Sequence, residues 1–445
     1  MCNVSDQPQL CELAAQLLAR DPDPVVRFRL LRDVLQRPGD DPERMQARKA
    51  LDTSYWVQQL ANEQWDDGSW GSLHSQDYGA AQRIPTTEAG VERALALGLD
   101  ATHPILRRAA SHLVRLLKGT EQCRDRPEKN DRWDTGVELF AASTLSRIDP
   151  ALSVVDGPWA LWRDVARRSF SSGSYDPEGE AAAHRAVTGA SVRGSYLVID
   201  NKYAFALVGS RATQLSPALE AAIVRWVWHK EDGIGYLREA LFRPPRPRKP
   251  GHVDRWLTSQ ELMAHFPSWP SMAGDIVEWL WAQRNEDERW DFGPGLAFSA
   301  ALPLSETWRT KGARPMDWTT RVLTLLQCCY AARDASSAEP GLLGSVPQAP
   351  EGTSGPTSRY VIRRMPLAHC KKGPDRCDIC RQMAQERICV LDLHPPGRGL
   401  EQRRAIEIGR DGESVWQEFD IVRTFDSEEE ALAYAQEHRI DDVEL

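Results

Sequence analysis

One tight turn constrains this chain more than any other stretch. It lies within Gln58 to Gly71, which reads QQLANEQWDDGSWG and follows a helical run. Asp67 and Gly68 are typical turn residues, because an aspartate side chain can bond to the local backbone and glycine accepts a positive φ. Trp65 and Trp70 flank the turn, and rings of this size are not left in water without reason. The stretch therefore predicts a helix that ends in an aromatic turn packed against the rest of the fold.

The turn recurs, in weaker form, along the chain. Aligning residues 60–71 with residues 280–291 places Trp70 on Trp290, and Asp67 falls on Asp287. Further copies, more degenerate, are found in residues 128–136, 171–179 and 228–237. A period of roughly 50 to 65 residues is in the range of stacked helix pairs. The repeat therefore predicts a mainly α fold built from pairs of helices.

The Asp-Gly-Ser-Trp-Gly turn and its echoes resemble the QW motif of the squalene cyclase and prenyltransferase superfamily. The chain is also similar to a group of bacterial single-toroid proteins of unassigned activity, through the segments DPVVRFRLLRD, RWDFG, PLSETWR and DWTTRVL in this order. The resemblance implies an α/α toroid over residues 51–331, with N-terminal helices in residues 1–50 packed on it. In that superfamily the turns tie outer helices together, so their residues are structural rather than catalytic.

The second helix of each pair is expected to begin with polar residues. Serine, threonine and aspartate are good N-caps, and capping alone explains such starts. In a toroid the same helix ends line the central cavity, which makes these residues candidates for a site. The candidate acids are Glu88, Asp134, Asp200 and Asp317. The candidate ligand-binding residues are Trp133, Tyr203, Trp256, Trp318, Thr87 and Thr320.

Motifs that define the reactions of related toroids are missing. The chain has no Asp-x-Asp-Asp motif, whose central aspartate protonates an alkene in class II terpene cyclases. It also lacks the zinc-ligand pattern of protein prenyltransferases and the Cys and Cys-His motifs of lanthionine cyclases. A zinc ion in the toroid is therefore not expected, and the resemblance leaves open whether the toroid is an enzyme.

Three functions stay open from the sequence. The resemblance implies a terpene cyclase- or prenyltransferase-like protein that binds a small apolar, isoprenoid-like ligand, with acid-assisted cyclisation or transfer. Such chemistry needs an acid of raised pKa in an apolar pocket and aromatic faces for developing cations. The first alternative is a non-catalytic scaffold that binds a ligand or a protein. The second is a carbohydrate-active α/α-barrel hydrolase, in which two acids such as Asp134 and Asp317 act as acid and base.

Composition changes after the toroid. Residues 332–358 are rich in proline, glycine and serine, which is typical of a flexible linker. Residues 359–445 contain short apolar runs separated by turns, followed by a helix from Asp426 to about His438. They are expected to form a small α+β domain with a short edge strand near the end.

A cysteine cluster marks this C-terminal domain. Cys377 and Cys380 have the spacing of zinc ligands, with Cys370 and His369 as further ligand candidates. Free or redox-active thiols explain the same residues without a metal. The domain is also the expected docking site for a protein partner.

Charge and hydropathy exclude other classes. The formal net charge is −9, which does not favour nucleic-acid binding. No apolar run approaches the roughly 18 residues of a membrane span. The first residues, MCNVSDQPQL, lack the basic and apolar regions of a signal peptide. Together with cysteines that form no disulfide framework, these features predict a cytoplasmic protein with reduced thiols.

Overall fold

The computed structural model describes residues 6–75, 82–190, 196–296, 300–310 and 312–337, and six strand segments after residue 358. The chain divides into two compact units, Met1–Pro340 and Gly341–Leu445. The described part is mainly helical, as predicted. The division between the units falls inside the predicted linker, into which the last helix extends.

Fifteen α-helices occur in the described residues. They are α1 (Asp6–Leu18), α2 (Pro24–Arg29), α3 (Pro42–Asp52), α4 (Tyr55–Glu63), α5 (Thr87–Ala96), α6 (Pro104–Leu117), α7 (Trp133–Ile148), α8 (Asp156–Ser169), α9 (Pro177–Thr188), α10 (Lys202–Gly209), α11 (Pro217–Trp228), α12 (Pro250–Met263), α13 (Trp269–Met272), α14 (Gly274–Ala282) and α15 (Ala313–Ser337). A π-helical turn, Leu30–Val34, continues α2.

Local chemistry explains where many of these helices begin. Asp23, Asp41 and Ser216 each precede a proline that opens a helix, and each side chain accepts a hydrogen bond from a backbone N–H of the first turn. Proline is favoured there because its missing N–H would have no partner inside the helix. The cap satisfies one of the remaining backbone donors. These starts are therefore fixed by residues that are neighbours in sequence.

The second helices of the predicted pairs pack against one another in sequence order. Helix α5 contacts α7, α7 contacts α10, and α10 contacts α12. Helices α12 and α15 are joined by ion pairs, in which Arg321 of α15 lies 2.6 Å from Asp254 and 2.6 Å from Glu261 of α12. The N-terminal helices α1 and α2 contact α15. Five helices that are far apart in sequence thus form one connected layer.

The first aromatic corner, centred on Trp70, ties α4 to α5. The indole Nε1 of Trp70 donates to the carbonyl of Leu60 at 3.1 Å, and its backbone N–H donates to Thr87 Oγ1 at 3.1 Å. The amide of Gln64 donates to the carbonyl of Gly68 at 2.9 Å and closes the turn. Gly68 has φ of 91°, a conformation that favours glycine.

The second corner, centred on Trp290, repeats these contacts between α14 and α15. Trp290 Nε1 donates to the carbonyl of Leu280 at 2.5 Å, and the backbone N–H donates to Thr319 Oγ1 at 3.1 Å. In both corners the accepting carbonyl lies ten residues before the tryptophan. The two stretches aligned from the sequence are therefore structural equivalents.

Two helices begin earlier than the sequence pattern predicted. Trp256 and Asp317 were expected at helix starts, but α12 begins at Pro250 and α15 at Ala313. Pro250 opens α12 because proline is tolerated in the first turn of a helix. One aspartate in each helix bonds outside that helix, Asp254 to Arg321 and Asp317 to the backbone of the preceding loop. Neither acid caps a helix.

Described strands of the second unit form a four-stranded sheet and a separate two-stranded one. The strands are β1 (Arg359–Arg364), β2 (Ile388–Leu393), β3 (Ile406–Glu407), β4 (Ser414–Val415), β5 (Asp420–Phe425) and β6 (Val443–Glu444). The larger sheet has the order β5-β1-β2-β6, in which only β2 and β6 are parallel, and β3 pairs with β4. The predicted helix lies outside the described residues, so the α+β domain stays a prediction.

Candidate functional site

Two helix starts bring polar side chains together in the first unit. Thr86 caps α5, and its side chain accepts from the backbone N–H of Ala89, which leaves Glu88 in the first turn. Asn201 caps α10, where its Oδ1 accepts from the N–H of Tyr203 at 2.8 Å. Lys202 and Tyr203 therefore occupy the first turn of α10. A lysine there opposes the helix dipole and needs a carboxylate partner.

Glu88 is the centre of a buried hydrogen-bond network, named here the Glu88 cluster and formed by His74, Glu88, Lys202 and Tyr203. Lys202 Nζ lies 3.0 Å from Glu88 Oε1. The Tyr203 hydroxyl donates to the same carboxylate, with distances of 2.7 and 2.8 Å to its two oxygens. His74 Nδ1 lies 2.9 Å from Glu88 Oε2. One carboxylate thus binds a cation, a phenol and an imidazole.

The electrostatics of the cluster keep Glu88 ionised. Burial alone would raise the pKa of Glu88, but the charge of Lys202 and the hydrogen bond from His74 outweigh it and hold that pKa well below its usual range. For Lys202, burial is likewise outweighed by Glu88 and Glu92, which raise its pKa. Burial and the Glu88 charge raise the pKa of Tyr203 well above its usual value. At neutral pH the network is a carboxylate, an ammonium and a neutral phenol.

His74 is held in a fixed orientation. The carboxylate of Asp125 accepts from the backbone N–H groups of Leu73, His74 and Ser75, at 2.5, 2.9 and 2.6 Å. The His74 ring stacks on Phe140 with 4.2 Å between ring centroids. Because its Nδ1 faces a carboxylate, the neutral ring keeps its lone pair on Nε2.

The second nitrogen of His74, Nε2, makes no hydrogen bond to any residue within the described ranges, and the side chain is 24% exposed. The ring of Tyr236 lies nearby, with 6.2 Å between its centroid and that of His74. Tyr236 is itself exposed. The cluster therefore opens to solvent on the side of His74 and Tyr236.

Lys202 also faces a central cavity of about 200 Å³. All five helices of the connected layer, together with the end of α2, contribute to its lining. The charged lining residues are Arg29, Glu92, Arg147, Lys202, Glu261 and Arg321. The cavity is thus small, and its lining combines these charged residues with leucine and alanine side chains.

Every cation of this cavity has a carboxylate partner. Lys202 Nζ lies 2.6 Å from Glu92 Oε1, and Arg147 lies 2.5 Å from the same oxygen. Arg321 binds Glu261, and Arg29 binds Asp33. The lining itself has four cations and two carboxylates. The excess positive charge is offset by neighbouring carboxylates outside the lining, those of Asp33, Glu88 and Asp254.

Some of the predicted site residues meet at the Glu88 cluster. Glu88 and Tyr203 are direct partners, as described above. Thr87 is adjacent in sequence, but its hydroxyl is used by the first corner. Burial raises the pKa of Glu88, but Lys202 and His74 outweigh it and lower the pKa, whereas the sequence argument required a raised one. The role of Glu88 as a proton donor therefore stays a prediction, which its lowered pKa does not favour.

The remaining predicted acids do not join the cluster. Asp134 is exposed in the first turn of α7. Asp200 pairs with Lys230 at 3.0 Å. Asp317 is buried, and its two oxygens accept from the backbone N–H groups of Leu304 and Ser305 and from the Ser305 hydroxyl. Burial raises the pKa of Asp317 to about 6 despite these bonds.

Most of the predicted ligand-binding residues belong to the core. Trp256 and Trp318 are fully buried, and their indole N–H groups donate to the backbone carbonyls of Leu241 and Gly293. Thr320 donates to the carbonyl of Met316 within its own helix. Trp133 is half-buried at the start of α7. The two buried tryptophans therefore fill the interior rather than face an open cavity.

The predicted zinc ligands cannot be placed. His369, Cys370, Cys377 and Cys380 lie outside the described residues. Zinc binding in the C-terminal domain and a protein partner for it stay predictions.

Sequence reasoning missed the two basic members of the cluster. His74 lies in a loop with no motif around it, so nothing local identified it. Lys202 had a signal, because it opens an otherwise apolar helix, KYAFALVG. A cation at that end of a helix is unfavourable without a partner. That conflict pointed to a carboxylate supplied by another helix.

Comparisons with protein-family models, with curated proteins and with solved structures give no match to this chain. Among the described helices, none has the length and apolar character required to cross a membrane. The candidate site is therefore argued from its own geometry.

Proposed function

We propose that residues 51–331 form an α/α toroid that binds a small polar ligand, with His74 exchanging a proton with that ligand. The support for the toroid is that the second helices of the predicted pairs contact one another in order and share one central cavity. The equivalent corners at Trp70 and Trp290 add an internal repeat to this support. The observation that carries the function is the Glu88–His74 pair, in which Nε2 of His74 makes no hydrogen bond to the residues that the structure describes.

The chemistry of this pair is that of a general base. A buried carboxylate that accepts from Nδ1 fixes the tautomer of an imidazole and stabilises the cation formed when Nε2 takes a proton. Glu88 fills that position for His74. Tyr203, 3.0 Å from His74 Nδ1, adds a polar contact that limits rotation of the ring. His74 is thus the base, and Glu88 and Tyr203 are positioning residues.

The lining favours a polar ligand over an isoprenoid. Pockets for drug-sized ligands enclose roughly 300–1,000 Å³ and are mostly apolar. The central cavity has about 200 Å³ and six charged lining residues. His74 does not line it, but Lys202 does and also binds Glu88 of the cluster. A hydrocarbon chain placed there would remove ionic groups from water without replacing their hydrogen bonds. The apolar-ligand hypothesis stays a prediction that this cavity does not support.

A carbohydrate hydrolase receives less support. Glycoside hydrolysis needs two carboxyl groups that flank one substrate bond. Asp134 is exposed in α7, whereas Asp317 is fully buried and bonded to a loop. Neither acid is paired with the other through any described contact.

The first experiment identifies the ligand. The full chain is purified from its own cells and analysed by native mass spectrometry, and the bound species are released and identified. A polar compound is expected, because the site offers hydrogen bonds and charges. A retained isoprenoid would contradict the polar-ligand proposal and restore the cyclase-like hypothesis.

The second experiment tests the role of His74. A small-molecule extract is incubated with wild type or with His74→Asn, and changes in the compounds are followed by mass spectrometry. His252→Asn is the matched control, because His252 also lies 2.9 Å from a glutamate, Glu239, but is exposed on α12. Turnover is expected in wild type and in the control, with a loss of about 100-fold or more in His74→Asn. Equal turnover in all three proteins would refute His74 as the base.

A non-catalytic binding scaffold is the second candidate function. It is favoured by the ion pairs of the cavity, because each of the six charged lining residues already has a partner of opposite charge. None of these described side chains is therefore an unpaired acid or base. This function predicts that wild type binds a polar ligand and never converts it. Binding without conversion, unchanged in His74→Asn, is the result that distinguishes the scaffold from the enzyme.

A further inference from the structure

A second cluster of ligand-type side chains lies at the first corner, away from the Glu88 cluster. Asp67 belongs to the turn, His112 to α6 and Glu121 to the segment after α6. One ligand atom from each residue lies within 4.8 Å of the others. Imidazole nitrogen and carboxylate oxygen are the ligands that zinc takes together with a water molecule. The geometry points to a divalent metal site, filled by Zn²⁺, at Asp67, His112 and Glu121.

His112 supplies the independent reason to expect an ion. Its side chain is almost fully buried, yet its Nδ1 makes no hydrogen bond within the part of the chain that the structure describes. Glu121 Oε1 is only 3.0 Å from this nitrogen, but it lies outside the direction of a hydrogen bond. A buried nitrogen without a partner is costly. A cation bound by both atoms removes that cost.

The spacing needs only a small adjustment. Donor atoms around a tetrahedral zinc ion are separated by about 3.4 Å, which follows from bond lengths of roughly 2.1 Å. The three atoms here start within 4.8 Å of one another. Asp67 and Glu121 are half-buried, so rotation of their side chains closes the gap without moving the helices.

Two arginines compete with the ion. Arg124 lies 2.6 Å from Asp67 Oδ2, and Arg115 lies 2.8 Å from Glu121 Oε2. Their side chains are 46% and 41% exposed, so both can rotate into water when a cation arrives. This competition gives the proposal a specific consequence. Removal of Arg124 strengthens metal binding, because Asp67 then carries an uncompensated charge.

An open cleft provides access to the site. It has a volume of about 310 Å³ and is lined by Asp67 and Arg115 among others. A metal ion and its water ligand can therefore reach the cluster from solvent. The three ligands come from separate segments, so a bound ion cross-links the first corner to α6 and to the segment after it.

The test is a calorimetric titration of the full chain with Zn²⁺. His112→Asn and Glu121→Gln are each expected to lower the Zn²⁺ affinity of one site by at least about tenfold. Loss of a residue that only hydrogen-bonds to a metal ligand already has an effect of that size. Arg124→Gln is expected to tighten binding at the same site. Asp66→Asn is the matched control, because Asp66 is an exposed neighbour of Asp67 outside the cluster. Folding of each variant is checked by circular dichroism and by thermal unfolding without metal.

Cobalt distinguishes this site from the cysteine cluster of the C-terminal domain. Co²⁺ bound to imidazole and carboxylates lacks the thiolate charge-transfer band that cysteine ligands produce. A Co²⁺ spectrum without that band, lost in folded His112→Asn, supports the proposal. No binding by wild type, or equal binding by wild type, His112→Asn and Glu121→Gln, overturns it. A spectrum with thiolate character alone assigns the metal to the cysteines and also overturns it.

Discussion

Replacing Lys202 by methionine tests whether the Glu88 cluster is as buried and as tightly paired as its geometry indicates. Lys202 Nζ lies 3.0 Å from Glu88 and 2.6 Å from Glu92, and its side chain is 7% exposed. Methionine keeps a flexible stem of similar length but removes the charge. The substitution leaves two buried carboxylates with one fewer cation. Removing one partner of a buried ion pair costs about 3–5 kcal/mol of unfolding free energy.

The pH dependence of this loss follows from the sign of the Glu88 pKa shift. In wild type its folded-state pKa lies below the ordinary value of 4.5, so ionised Glu88 stabilises the fold above that pH. This contribution is lost as the pH falls below 4.5 towards the folded-state pKa. Without Lys202, burial dominates and raises the folded-state pKa, so ionised Glu88 destabilises the variant at neutral pH. The difference between the two proteins should be largest near pH 7 and shrink below about pH 4.

The assay is urea unfolding followed by near-ultraviolet circular dichroism at several pH values. Arg243→Gln is the control, because Arg243 pairs with Glu231 at 2.8 Å while both side chains are 49% and 42% exposed. An exposed pair of this kind is worth at most about 1 kcal/mol. A loss in Lys202→Met no larger than in this control, or one that does not change between pH 3 and pH 7, would refute the buried network.

Further predictions concern the two corners and one buried acid. Thr87→Val and Thr319→Val each remove the acceptor of a buried tryptophan backbone N–H. Each should therefore lower the unfolding free energy, measured by urea titration, by about 1–3 kcal/mol. The two losses should be similar if the corners are equivalent. Gly90→Ala places a Cβ 2.4 Å from the first-corner indole, and should cost about 1–3 kcal/mol, whereas Gly157→Ala meets nothing within 4 Å and should not destabilise the fold. Burial raises the folded-state pKa of Asp317 from 3.8 to about 6, so wild-type stability relative to Asp317→Asn should fall as the pH rises between these values. Unequal threonine losses, a tolerated Gly90→Ala or a flat pH difference would contradict these expectations.

The helical part of the fold could be predicted from local sequence patterns. Thr87 and Tyr203 were expected at helix starts, and they lie in the first turns of α5 and α10. Trp70 and Trp290 were aligned from short stretches that each contain a helix end and a turn, and they make matching hydrogen bonds. These features depend on residues within one or two turns of each other, so the sequence contains the information directly.

Only half of the candidate site could be predicted from the sequence. The rule that polar residues begin these helices identified Glu88 and Tyr203. The same rule also selected Asp317, which is buried and bonds to a loop, and Trp318, which is buried in the core. A polar or aromatic residue at a helix start has the same pattern whether it caps, fills the interior or binds a ligand. Pattern alone therefore cannot separate these roles.

Pairs of helices and the aromatic corners that close them are determined by the sequence itself, because turn chemistry, capping and apolar spacing act between neighbours. The meeting of Glu88 with Lys202 is decided only by the tertiary structure, since 114 residues separate them in the chain. The same holds for the sign of the Glu88 pKa shift, because burial and a cation act in opposite directions and only their distances decide between them. Whether an acid at a helix start donates protons or positions a histidine is therefore a property of the assembled fold.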